Sequence, residues 1–107
     1  MKSDSLFHLA RLYELISSME KDLGLDTLSE DERAMVYAIT SMTDVDKTTF
    51  QSSDVKNHAL CARMSNPTYY RNLKRLLARG LIRHVQGKKT GVYEMVYNDF
   101  PFVAVPS

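Results

Sequence analysis

The chain has 107 residues, 44% of them apolar and 25% charged, with a formal net charge of +1. Those values suit one globular domain with a single core and argue against disorder. No apolar run nears the roughly 18 residues of a membrane span, and the opening MKSDSLFHLARLYEL shows no signal-peptide pattern. Cys61 is the single cysteine, which rules out an intrachain disulfide and suits a reducing compartment. A cytoplasmic protein is therefore expected, with Cys61 as a small buried helix residue.

The near-neutral total conceals a segregation. Residues 1–53 hold five basic and ten acidic side chains, a net of −5, whereas residues 54–91 hold nine basic ones against the single acid Asp54, a net of +8. Positive charge gathered in one part of the chain points to a surface that meets a polyanion.

Residues 4–23 place Leu6, Leu9, Tyr13, Ile16 and Leu23 at helical spacing, with Gly24 as a stop. Phe7, Leu12 and Leu15 widen the apolar stripe beyond one face, more than a peripheral helix needs. Residues 1–24 are thus expected to form a dimerisation helix, with Leu6, Leu9, Leu12, Tyr13 and Ile16 at the contact; packing wholly within its own subunit is the alternative. Ser29, followed three residues later by Glu32, makes a capping box for a second helix reaching about Met42, with Met35, Val36 and Ile39 inward. Thr48 to Phe50 can form a short edge strand. Ser52-Ser53-Asp54 precedes a third helix through about Ala62, with Val55, Ala59 and Leu60 inward.

The fourth helix is SNPTYYRNLKRLLARG, residues 65–80. Ser65 caps it, Pro67 sits in the first turn where a missing amide hydrogen costs nothing, and Gly80 ends it. At 100° per residue Tyr69, Leu73 and Leu76 share the inner side with Leu77 at its edge, while Pro67, Arg71, Lys74 and Ala78 share the outer side, flanked by Thr68, Tyr70 and Arg75. Residues 66–80 hold four basic side chains and no acid, so the usual pairs three or four residues apart are missing. An anionic partner accounts for that better than solubility does. After Gly80, Leu81–Gln86 and Val92–Tyr97 are β-prone and flank Gly87-Lys88-Lys89-Thr90-Gly91, a hairpin loop bounded by glycines. The tail from residue 98 to 107 is expected to be extended.

A short helix, a turn through Arg63-Met64-Ser65 and a basic helix make a helix-turn-helix, whose second helix enters the major groove. Asn66, Thr68, Tyr70 and Arg71 are then the base readers; Arg71 can fork onto guanine and Asn66 can pair with adenine. Lys74, Arg75 and Lys56 are better placed for phosphates. Lys88 and Lys89 at the hairpin tip form a wing for the backbone or minor groove. Which of these side chains meets a base and which a phosphate is left open by the sequence. The expected fold class is mainly α with a small β-hairpin wing, an α+β winged helix-turn-helix, in a single domain over residues 1–107 with its core at 28–97.

Residues 28–97 resemble a bacterial winged helix-turn-helix regulator of the multiple-antibiotic-resistance (MarR) type. The likeness rests on LSEDERAMVYAI, SNPTYYRNLKRLLARGLI and GKKTGVY. It implies a homodimer on a pseudo-palindromic site in double-stranded DNA, usually as a repressor, with contacts from Ser65, Asn66, Thr68, Tyr70, Arg71 and Lys74 and wing contacts from Lys88 and Lys89. The wing here lacks the Asp-x-Arg pattern common in that family, and no long helix follows it, so dimerisation is expected to rest on residues 4–23. No cofactor, metal or membrane partner is implied.

Catalysis has no support in the sequence: His8, His58 and His84 are scattered, and there is no CxxC, phosphate-binding glycine loop or GxSxG. A winged helix that binds another protein is the alternative reading. It calls for an apolar groove-facing side, where this chain has a basic and polar one.

Overall fold

The computed structural model describes residues 2–87 and 90–97. It is mainly helical with a small antiparallel sheet, and the chain divides into two units, one reaching to Thr27 and the other beginning at Leu28. The expected tail over residues 98–107 and the hairpin-tip lysines Lys88 and Lys89 lie outside the described residues.

The first unit is a 21-residue helix, α1 (Lys2–Asp22), followed by a 3₁₀ turn, Leu25–Thr27. Gly24 ends α1 as expected, with φ of 80°, a left-handed conformation that glycine reaches without steric cost. No described helix is long and apolar enough to cross a membrane.

The second unit runs α2 (Glu30–Met42), β1 (Thr49–Gln51), α3 (Ser52–Lys56), α4 (Asn66–Ala78), β2 (Ile82–His84) and β3 (Val92–Met95). The strands order β1-β3-β2, all antiparallel, with Phe50 opposite Tyr93 and Arg83 opposite Glu94. The expected hairpin is therefore the β2-β3 pair, and the expected edge strand completes the sheet as β1. Met35, Ile39, Val55, Tyr69, Leu76, Leu81 and Ile82 are among the buried residues of this core. Each such aliphatic side chain contributes on the order of 1.5–3 kcal/mol of burial free energy.

Both long helices of this unit begin on the caps their sequences encode. Ser29 and Glu32 form the full capping box of α2, and the Thr68 amide donates to Ser65 Oγ at the start of α4. The α4 C-terminus closes as a Schellman turn: Leu81 N–H reaches the Leu76 carbonyl, Gly80 N–H reaches that of Leu77, and Gly80 takes φ of 77°.

The third helix is a correction. It ends at Lys56, not near Ala62, and residues 57–64 form a chain of tight turns in which His58, Cys61 and Met64 donate to the carbonyls three residues earlier. Asn57 and His58 are weak helix formers, and His58 Nδ1 takes the Leu60 amide at 3.1 Å, a local bond that competes with helix continuation. The tighter period moves the inward positions. Ala59 and Leu60 are exposed, while Cys61 and Met64 are buried, so Cys61 is buried as expected but in a turn, not in a helix.

Candidate nucleic-acid interface

Helix α4 is held from below by its aromatic anchor. Tyr69 is fully buried and its phenol donates to the Ser52 carbonyl at 2.7 Å. Burial first, then neighbouring Cys61, Tyr70 and Tyr93, push that phenol far above its ordinary value, which keeps it a neutral donor. Ser52 also donates its amide to the Gly91 carbonyl at 2.9 Å. One buried residue thus joins α4 to the base of the hairpin loop. Gly91 has φ of 94°, and a Cβ there would lie 3.4 Å from Ser52 Oγ.

Leu73 and Leu76 complete the inner side with Asn72, which the sequence pattern did not single out. Asn72 is 3% exposed and donates to the Thr68 carbonyl at 3.0 Å, so a polar side chain in the seam is satisfied locally. The opposite side carries Asn66, Pro67, Tyr70, Arg71, Lys74, Arg75 and Ala78, all exposed, with Thr68 half-buried at its edge. Tyr70 belongs to this exposed side, its ring packed edge-on against Tyr69 with centroids 5.1 Å apart.

From residue 63 to residue 83 the structure sorts the basic residues into two groups. Arg63 pairs with Glu30 and Asp31, Arg79 with Glu32, and Arg83 with Glu94. Arg71, Lys74 and Arg75 have no carboxylate partner among the described residues, and all three stand on the outer side of α4. Lys56 belongs to neither group. Half-buried, it donates to the Met64 carbonyl at 3.2 Å and lies 5.9 Å over the Tyr69 ring, closing the turn before α4 while keeping two of its three donors. Ser65 is likewise occupied with capping: its hydroxyl accepts the Thr68 amide and donates to Thr68 Oγ1.

The Arg79–Glu32 pair is the part of this arrangement that sequence reasoning missed. The two sides meet at 2.8 Å and fasten the C-terminal end of α4 to the N-terminal end of α2, with the Glu32 side chain 3% exposed. Burial by itself raises the Glu32 carboxyl, but hydrogen bonds from Ser29 and Arg79 and the Arg79 charge outweigh it and hold the group below its ordinary value. The clue was a basic residue at the C-cap of α4 with no acid nearby in sequence.

Other features do not converge on this face. His58 bonds Ser41 at 3.0 Å, and the His84 ring lies 4.8 Å from Tyr93. Among the described residues no group of three or more His, Cys, Asp or Glu side chains could hold a metal. Burial pushes the Cys61 thiol up despite the opposing pull of Lys56, the reverse of what a reactive thiolate requires. A cavity of about 230 Å³ is lined by Val45, Thr48, Arg83, Glu94, Met95, Val96 and Tyr97, none of them on the outer side of α4. Comparison with protein-family models, with curated proteins and with solved structures returned no match.

Proposed function

We propose that the chain is a winged helix-turn-helix regulator that binds double-stranded DNA in a sequence-specific way. In this reading α3, the turns over residues 57–65 and α4 are the helix-turn-helix, with nine residues between the helices where the sequence pattern placed a three-residue turn; α4 is the recognition helix and the β2-β3 hairpin is the wing. The observation that carries it is the partition of cations: the arginines at 63, 79 and 83 are paired with acids, whereas Arg71, Lys74 and Arg75 stand together on one exposed side with no carboxylate partner among the described residues. Phosphates release counterions when such groups approach. The element order and the β1-β3-β2 sheet support the same architecture, and the resemblance to MarR-type regulators makes repression the expected outcome of binding.

The regulator acts as a homodimer joined through α1. Leu6, Leu9, Leu12, Tyr13 and Ile16 are 48–71% exposed along that helix, and a second copy covers them while setting two recognition helices about one DNA turn apart. Fluorescence anisotropy against the chain's own upstream region, with random duplex as control, tests DNA binding. Tighter binding to the upstream DNA, weakening steeply with salt, is expected; equal affinity for both, or no salt dependence, would sink the proposal. Light scattering of Leu9→Glu and Ile16→Glu variants tests the dimer, and a dimer that persists in both moves the interface elsewhere.

A further inference from the structure

The contacts of Arg71 in the free protein carry that reading to a particular base. Arg71 Nη2 donates to Thr68 Oγ1 at 3.2 Å, and Ser65 Oγ donates to the same oxygen at 2.9 Å. A threonine hydroxyl has two acceptor sites and one proton. Both acceptor sites are filled from within the helix, which leaves the Thr68 proton as the group it can offer outward. The guanidinium has five donors and no acceptor, one of them committed to Thr68. Thr68 and Arg71 together therefore present hydrogen-bond donors only.

This pair also rests on a stiff base. The Thr68 carbonyl is held by buried Asn72, its amide by Ser65, and the next residue, Tyr69, is locked to Ser52. A free arginine side chain carries large rotamer freedom, so a hydrogen bond already made in the unbound protein reduces what must be ordered on binding.

We propose, on the DNA-binding reading above, that Ser65 and Thr68 are positioning residues that aim Arg71 at guanine in the major groove. Guanine shows two acceptors there, N7 and O6. Adenine sets an amino donor beside its single acceptor, cytosine shows a donor, and thymine one acceptor and a methyl group. A donor-only pair finds full satisfaction on guanine alone.

The test starts with selection of bound sites from random duplexes using the full chain. Affinities are then measured for the selected site and for the same site carrying 7-deazaguanine, which lacks N7, at the shared guanine of each half. The wild-type protein should select a common guanine and lose about tenfold or more on the analogue. Thr68→Val, which keeps the shape but removes the hydroxyl, should bring that ratio towards one, and Thr68→Ser should restore it. Circular dichroism melting establishes that each variant is folded; should Thr68→Val not fold, Thr68→Ala, which also removes the hydroxyl, must lose the ratio in its place. Selected sites without a shared guanine, or an unchanged ratio in Thr68→Val, overturn the assignment while leaving DNA binding intact. Absence of salt-dependent duplex binding by the wild-type protein overturns both.

Discussion

Helices α1 and α4 are both amphipathic, but they use their apolar sides in opposite ways. In α4 the apolar side is consumed by the core, with Tyr69, Leu73 and Leu76 at 0–3% exposure, and the polar side faces out without a single acid. In α1 the apolar side itself is on display: Leu6, Phe7, Leu9, Leu12, Tyr13, Leu15, Ile16 and Met19 are 48–71% exposed. An amphipathic pattern guarantees a helix with a side to cover. It does not say what covers it.

The sharpest way to break this contrast is to make the same substitution in both helices. Leu76→Ala should cost about 2–5 kcal/mol of unfolding free energy, because it opens a cavity at a fully buried site. Leu9→Ala should change monomer stability by no more than ~0.5 kcal/mol and should appear instead as weaker self-association in sedimentation. Similar losses in urea unfolding at low protein concentration would show that α1 is buried as deeply as α4.

The next effect concerns the joint that holds α4 in place. The folded Glu32 carboxyl is held below its ordinary value of 4.5, so its contribution to stability is complete above that value and is lost as pH falls through the lower folded value. Glu32→Gln should cost roughly 1–3 kcal/mol at neutral pH, the penalty of disrupting a buried charge-assisted bond. It should also flatten the acid limb of a stability profile measured below pH 5. A variant with the wild-type acid limb would remove Glu32 as its source.

The smaller effects separate residues on the outer side of α4. Arg71→Ala should weaken binding to a selected site by about 1–3 kcal/mol and relax preference at one base position. Lys74→Ala should weaken all duplexes alike and lower the salt slope by about one. If both substitutions change specificity equally, the division between reading and positioning on this helix is wrong.

Much of this was legible locally. The capping box at Ser29 and Glu32, the Ser65 cap, the stops at Gly24 and Gly80 and the glycine-bounded hairpin each depend on residues within a few positions of one another, and each is found where local chemistry places it. The α3 boundary was not legible, because the 3.6-residue period and the tighter turn period agree at Val55 and diverge only afterwards. Asn72 was read past for a related reason: polarity alone suggests an outward residue, and its partner is a backbone carbonyl that carries no sequence signal.

The sequence alone determined which segments are helical, where most begin and end, and that positive charge gathers beyond residue 53. These are consequences of short-range sterics, capping bonds and composition. Only the tertiary structure decided which cations are spent and which are free. Arg79 and Glu32 stand 47 positions apart, Arg63 and Glu30 33 apart, and Arg83 and Glu94 11 apart. Pairing over such separations depends on how α2, the turn and the strands are brought together, and among the described residues that packing leaves Arg71, Lys74 and Arg75 without acids on one face.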